Sequence, residues 1–162
     1  MWRLLRTVFL SVLLLAEYRE VARVHPKPSF TANEQKVMLN RWIKDRARHY
    51  RLNFKMVHRL IKAESGWNVN AESPTHAIGL AQVLLSTGRD VLNDPGLTRE
   101  ELFDPYTNVE AGLKYLAQMR ARFNGNMYLA VTAYNIGYGA VEMLLDYGLI
   151  PVSGYATTVV GV

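Results

Sequence analysis

Apolar side chains recur at intervals of three and four residues through most of the chain after residue 30, and this spacing constrains the fold more than any other feature. Nowhere do several runs alternate with the period of two that strands require, and no internal repeat is seen. The predicted helices lie near residues 31–50, 53–66, 79–88, 105–123, 127–135 and 139–147, followed by an irregular tail. The sequence therefore predicts a compact all-α domain.

Residues typical of helix boundaries stand at the ends of these runs. They supply side-chain oxygens for unpaired backbone N–H groups, a preset φ for a first turn, or a left-handed stop. These boundary signals are the capping boxes Thr31–Glu34 and Thr98–Glu101, the caps Asn53 and Asp104, Pro105 after the latter, and Gly66 as a stop.

Glu64 stands on the apolar face of the predicted helix that begins after Asn53. It falls three, four and seven residues after Ile61, Leu60 and Val57. The cations of this segment, Lys55, Arg59 and Lys62, follow the same period on the other, solvated side. Because a buried carboxylate without a partner is costly, we expect the pKa of Glu64 to be raised, so that it can serve as a general acid.

Composition narrows the function classes. With 162 residues and 49% hydrophobic content the chain suits one packed domain. It contains no cysteine, and its four histidines show no ligand spacing, so we expect no metal site and no cofactor. The net charge of +5 favours an anionic polymer or surface, which leaves nucleic acid, membrane and bacterial wall open. No nucleic-acid-binding motif is present, and we expect no nucleic-acid partner.

The first 30 residues read as a targeting segment and a linker. Residues 1–22 begin with Arg3 and Arg6 ahead of a short apolar run, which predicts an export signal peptide or a short N-terminal anchor; a plain apolar first helix is the alternative. Residues 23–30 contain two prolines and read as a linker, so that the folded domain covers 31–162. We therefore expect an exported protein, periplasmic or associated with the cell envelope or a virion, with membrane contact only through the N-terminal apolar segment.

Four sequence blocks carry a resemblance to a known family. They are ESGWNVNAESP from Glu64, AIGLAQ from Ala77, NVEAGLKYL from Asn108 and AYNIGYGAV from Ala133. In this order they resemble the SLT family of lytic transglycosylases, goose-lysozyme-like enzymes that cleave peptidoglycan. The match covers roughly residues 35–160. The resemblance implies a lysozyme-like helical domain with a substrate groove for peptidoglycan glycan strands.

Carried over by position, the resemblance implies that Glu64 is the catalytic acid and base. Ser65 would orient the carboxyl group or the acetamido group of the sugar. Gln82 and Tyr134 match positions that line the groove, with the tyrosine hydroxyl close to the catalytic carboxyl, and Asn135 would support the site. Each residue also has a purely structural alternative. Glu64 could form a buried ion pair, Ser65 could close the helix, Gln82 could bond to backbone groups of a turn, and Tyr134 could be a core aromatic residue.

The chain also differs from the family pattern at four positions. His76 replaces the usual glycine, Ala81 a methionine, Leu85 a proline and Ile136 a small alanine. The loss of the long methionine side chain predicts a wider or weaker subsite. Ile136 is expected to alter the backbone around Asn135.

Glycoside cleavage ordinarily needs two carboxyl groups, and only one stands out here. The resemblance implies that Glu64 protonates the MurNAc–GlcNAc oxygen, that the MurNAc N-acetyl carbonyl stabilises C1, and that the C6 hydroxyl closes a 1,6-anhydro ring. A hydrolase (muramidase) and a non-catalytic wall-binding component are the alternatives. A single catalytic domain behind an export signal also resembles the specialised enzymes that serve secretion, conjugation or phage-entry assemblies, and this analogy suggests such an assembly as a partner.

Overall fold

The structure is a computed structural model that describes residues 31–162. Within this range the regular elements are eight helices, and strand pairing is limited to two isolated bridges, Glu72 with Ile78 and Ile78 with Val83. The helices are α1 Ala32–His49, α2 Phe54–Ser65, α3 Leu85–Leu92, α4 Arg99–Phe103, α5 Pro105–Arg122, α6 Met127–Ile136, α7 Tyr138–Asp146 and α8 Gly154–Val160. The all-α prediction is confirmed. The predicted signal or anchor (1–22) and linker (23–30) lie outside the described residues.

The boundary signals act as their chemistry predicts. The Asn53 side chain accepts from the Met56 N–H at 3.1 Å, and Gly66 ends α2 in the left-handed conformation. Asp104 accepts from two N–H groups of the first turn of α5, with Pro105 at its first position. Both capping boxes form, through Thr31 with Glu34 and Thr98 with Glu101. These caps satisfy donors that would otherwise be unpaired at the helix starts.

Residues 37–162 form one compact unit, and residues 31–36 at the start of α1 fall in another. In the larger unit α6 packs against α5, α7 and α8, while α2 packs against α8. The central core is built from buried side chains of α2, α5, α6 and α8, with α1 contributing Ile43 and Ala47. Each fully buried large aliphatic side chain contributes about 1.5–3 kcal/mol. This core fixes the end of α2 that carries Glu64.

A second, smaller core lies beneath the segment that joins α2 to α3. It consists of Ile78, Ala81, Val83, Val91, Leu97, Leu102 and Ala111. Asn108 on α5 is fully buried beside it; its Oδ1 accepts from the Ala81 N–H at 2.8 Å, and its Nδ2 donates to Ile78 O at 2.8 Å and Leu102 O at 3.1 Å. One amide side chain therefore ties the loop around Gln82 to α5.

Three expectations from the sequence are wrong in detail. The helix placed at 79–88 begins only at Leu85, because residues 78–83 turn back on themselves through the Ile78–Val83 bridge. The tail expected to be irregular contains α8, which Ser153 caps by accepting from the Ala156 N–H. Arg59, expected on a solvated face, is half-buried and bonds to α8.

None of the helices within residues 31–162 is both long enough and apolar enough to cross a membrane.

Candidate active site

Glu64 lies in the last turn of α2 and is half-buried. Leu60 and Ile61, the stripe residues beside it, are fully buried. Removal from water raises the pKa of the Glu64 carboxyl, and a hydrogen bond from Tyr155 opposes this rise without cancelling it. The sequence expectation for the pKa of Glu64 therefore agrees with the structure.

Tyr155 on α8 is the partner of this carboxyl, and its hydroxyl donates to Glu64 Oε1. Burial and the neighbouring Glu64 charge together raise the pKa of Tyr155 far above its usual range, so the phenol keeps its proton. Sequence analysis missed Tyr155 because it follows a weakly patterned stretch. The one available signal was Ser153, a good N-cap residue placed directly before Gly154 and Tyr155.

Tyr134, expected to have its hydroxyl close to Glu64, uses that hydroxyl to donate to Ala81 O at 2.6 Å. Burial, and to a smaller extent the Glu64 charge, raises the pKa of Tyr134. Gly112 leaves room for this arrangement, since a Cβ added there would lie 2.9 Å from the Tyr134 hydroxyl and 2.5 Å from the Ala81 Cβ. Tyr134 thus joins the region of Glu64 to the loop that carries Gln82.

Gln82 lies in that loop with a φ of 48°, a conformation that non-glycine residues rarely adopt. Its Nε2 donates to Gly79 O at 2.9 Å and to Ala71 O at 3.3 Å. The amide nitrogen therefore holds the turn together. Its Oε1 makes no hydrogen bond to any residue in the described range, and this oxygen can accept one from a ligand.

Ser65 and Asn135 differ in how they are held. The Ser65 hydroxyl donates to Ile61 O and accepts from the Trp67 N–H, both at 3.2 Å, so it closes α2 and shapes the loop that follows. Asn135 is exposed at the end of α6, and its side chain has no hydrogen bond within residues 31–162. Ser65 retains one acceptor lone pair, and Asn135 its full amide, for a ligand.

The positions that differ from the family pattern are also placed. Ala81 is fully buried, and the wider or weaker subsite stays a prediction from the sequence. His76 has a φ of 64°, in the region that favours glycine. Ile136 ends α6 as an exposed apolar side chain.

An open cleft of about 420 Å³ lies beside the Tyr115 ring, and none of the predicted site residues lines it. The Tyr115 ring, whose centroid is 5.4 Å from that of Tyr134, forms part of its wall. Arg122, at the end of the same helix as Tyr115, lies over the Tyr138 ring and bonds to Glu142. The lining side chains are Thr87, Asp90, Val91, Tyr115, Gln118, Met119, Arg122 and Tyr138. Aromatic faces and polar groups of this kind suit a sugar chain.

No group of three or more histidine, aspartate or glutamate side chains within residues 31–162 is arranged to hold a metal ion.

Comparison with solved structures shows the class of fold, which is that of the lysozyme-like lytic transglycosylases. The 70-kDa soluble lytic transglycosylase SLT70 from Escherichia coli is 27% identical with a TM-score of 0.64, over 74% of this chain and 22% of that one. An inactive glutamate-to-glutamine mutant of lytic transglycosylase Slt from Pseudomonas aeruginosa is 26% identical with a TM-score of 0.63, over 72% of this chain and 21% of that one.

The particular family follows from the sequence itself. Residues 41–147 match the family described as the transglycosylase SLT domain, and the chain belongs to that family. Membrane-bound lytic murein transglycosylase C from Cronobacter sakazakii is 32% identical over 111 residues, which are 61% of this chain and 31% of that protein. The chain thus spans about a third of this curated relative and about a fifth of the solved structures.

Proposed function

We propose that this protein is a peptidoglycan lytic transglycosylase that cleaves the β-1,4 bond between MurNAc and GlcNAc without consuming water. Glu64 acts first as acid and then as base, and the product carries a 1,6-anhydro-MurNAc end. The observation that carries the proposal is the half-buried Glu64 carboxyl, whose pKa is raised by burial and whose Oε1 is held by Tyr155.

The raised pKa suits the first step. A carboxyl group with a raised pKa keeps its proton to a higher pH than an ordinary carboxyl and can donate it to the glycosidic oxygen as the bond to C1 breaks. The N-acetyl carbonyl of MurNAc then stabilises the developing charge at C1. Glu64, now ionised, removes the proton of the C6 hydroxyl, whose oxygen bonds to C1 and closes the anhydro ring. The carboxyl ends the cycle protonated.

A single carboxyl is consistent with this route. No other carboxyl group of residues 31–162 contributes to the shifted pKa of Glu64. Two acids elsewhere in this range have structural partners. Glu72 forms ion pairs with His76 and Arg99, and Asp104 caps the start of α5. A glycosidase that activates water places its second carboxyl across the scissile bond, about 6.5–9.5 Å from the first in inverting enzymes.

The roles that we propose for the other predicted site residues follow from their hydrogen bonds and from the polar atoms that remain unbonded. Gln82 presents its Oε1 to the sugar while its nitrogen holds the turn. Ser65 keeps Trp67 and the loop in place and offers a lone pair to the acetamido group. Tyr134 positions that loop through Ala81 O. Asn135 lies exposed next to Tyr134, where it can donate to the glycan.

The relatives support the substrate class. One is described as a membrane-bound lytic murein transglycosylase and another as an inactive glutamate-to-glutamine mutant. We propose the same polymer as the substrate here, in the cell envelope. The export signal and the secretion, conjugation or phage-entry partner stay predictions from the sequence.

Glu64→Gln tests the proposal. We expect the variant to lose about 10²–10⁴-fold in the rate of release of soluble products from purified sacculi, because the amide cannot transfer a proton. Circular dichroism should show an unchanged fold, since Gln fills the same volume and accepts the Tyr155 hydrogen bond. A Gln variant with full activity would exclude this mechanism.

Product mass separates the alternatives. Products with 1,6-anhydro ends are lighter by one water than those of a hydrolase, so mass spectrometry of the wild-type digest distinguishes the two reactions. A wall-binding protein without activity would cosediment with sacculi and release nothing.

A further inference from the structure

Arg59 ties α2 to the far end of α8. Its Nε donates to Val159 O at 2.8 Å, and its Nη2 donates to Val160 O at 2.6 Å. These carbonyls belong to the last turn of α8, where no intrahelical N–H is available to them. The guanidinium thus satisfies two acceptors at the end of the helix that carries partial negative charge.

The residue after these carbonyls is shaped to admit the guanidinium. Gly161 ends α8 with a φ of 82°. A Cβ added to Gly161 would lie 2.7 Å from Arg59 Nη2 and 3.0 Å from its Cζ. Any other residue here would strain the backbone and displace the guanidinium.

The second tie between the same two helices is the hydrogen bond from Tyr155 to Glu64. Arg59 and Glu64 are five residues apart on α2, about 7.5 Å along a helix, and Tyr155 and Val160 are five residues apart on α8. The separations match, so the two ties hold the helices antiparallel, in one register. A rotation or slide of α8 would move the Tyr155 hydroxyl away from the carboxyl.

We propose that Arg59 is a positioning residue for the reaction, which sets the place of α8 and through it the contact between the Tyr155 hydroxyl and Glu64. The inference rests on the proposed function of Glu64. Ala156 and Val159 anchor α8 in the core, but such apolar packing is non-directional and does not by itself fix the position of the helix along α2. Directed bonds at both ends add that restraint.

Arg59→Met removes the two hydrogen bonds and keeps an apolar stem. On soluble MurNAc–GlcNAc oligomers we expect kcat to fall about 10–100-fold with KM nearly unchanged, as displaced catalytic groups do. The alkaline limb of the kcat profile should move to higher pH, because the Tyr155 hydrogen bond that lowers the pKa of Glu64 is lost. Arg59→Lys, which keeps the charge but has one donor nitrogen in place of the two that bond here, should recover part of the rate.

A double-mutant cycle shows whether Arg59 acts through Tyr155. Tyr155→Phe should lower kcat and shift the same limb, and adding Arg59→Met to it should cause little further loss. Lys55→Met is the matched control: it removes a cation from an exposed position on the same helix and should leave kcat and the pH profile unchanged.

Two results would overturn the inference. One is a folded Arg59→Met protein with the wild-type kcat and pH profile. The other is a double variant whose fold-loss in kcat equals the product of the losses of Arg59→Met and Tyr155→Phe. If the Met variant does not fold, the same readouts on Arg59→Lys decide. An inactive Glu64→Gln variant together with a fully active Arg59→Met variant would leave the proposed function intact and reject the role of Arg59 alone.

Discussion

At the scale of single residues, Glu64 experiences two opposing influences on its proton. Burial at the end of α2 disfavours the ionised carboxylate, whereas the hydroxyl of Tyr155 stabilises it. The burial effect is the larger, so the pKa of Glu64 stays above 4.5, its ordinary value. A group balanced in this way can release a proton to the substrate and later take one back.

The raised pKa of Glu64 also makes folding depend on pH. Between 4.5 and the raised folded-state pKa, the native protein binds more protons than the unfolded chain, so this group lowers stability as pH rises through that window. Glu64→Gln removes the cost. We expect Glu64→Gln and wild-type protein to have similar Tm values below pH about 4.5, and the variant to become increasingly more stable above it, until the difference levels off.

Glu142→Gln is the control for that stability measurement. The hydrogen bond from Arg122 lowers the pKa of Glu142, so its contribution is present above the ordinary carboxyl pKa and is lost as pH falls. The control should therefore be less stable than wild type at neutral pH, opposite in sign to Glu64→Gln. A Glu64→Gln protein that gains no stability relative to wild type as pH rises above about 4.5 would show that the carboxylate is not penalised in the fold.

Sequence patterns could identify Glu64 but not all the bonds around it. Helical spacing alone placed its carboxyl on a buried stripe, and burial raises its pKa as expected. Tyr155 lies 91 residues away along the chain, and no local pattern encodes a contact over that distance. Ser65 and Gln82 were expected to serve the sugar, yet their side chains bond to backbone groups as well, which residue type does not reveal.

At the scale of elements, Asn108 decides where the Gln82 loop sits relative to α5. Asn108→Ala would leave the Ala81 N–H without its partner and remove a donor from Ile78 O and Leu102 O. Because these groups lie in a buried region, we expect a loss of about 1–3 kcal/mol in the free energy of unfolding, measured by urea denaturation. The KM for glycan should rise with it, since the turn that carries Gln82 loosens.

Asn135→Ala provides the same chemical change at an exposed site. We expect its free energy of unfolding to stay within about 0.5 kcal/mol of wild type. If Asn108→Ala were as stable as Asn135→Ala, the buried amide would not be what fixes the loop.

Elements with strong end signals were predictable, and those without them were not. α5, with Asp104 and Pro105 at its start, was located to within a residue or two. α8 was missed because Thr157, Thr158, Val159 and Val160 are β-branched and have low helix propensity. Its stability comes from tertiary contacts: the buried Ala156 and Val159, and the bonds from Arg59. Such contacts outweigh local propensity and cannot be seen in a seven-residue window.

At the scale of the whole molecule, the net charge of +5 should draw the protein to an anionic wall. Peptidoglycan carries carboxylates on its peptide stems. Raising the ionic strength from about 0.01 M to about 0.15 M shortens the screening length from about 30 Å to about 8 Å. We therefore expect the binding of inactive Glu64→Gln protein to sacculi, measured by cosedimentation, to weaken several-fold over this range.

Removing charge away from the site separates this long-range attraction from contacts in the cleft. Lys44 and Lys55 are exposed on α1 and α2, and changing both to Glu lowers the formal net charge by 4, from +5 to +1 in the wild type and from +6 to +2 in Glu64→Gln. In the Glu64→Gln background, this pair should weaken binding at low salt and flatten its salt dependence, because fewer counter-charges are left to screen. Binding at high salt should stay near that of the parent, since the cleft residues are intact. Equal salt dependence in the two proteins would mean that local contacts, rather than overall charge, hold this domain on the wall.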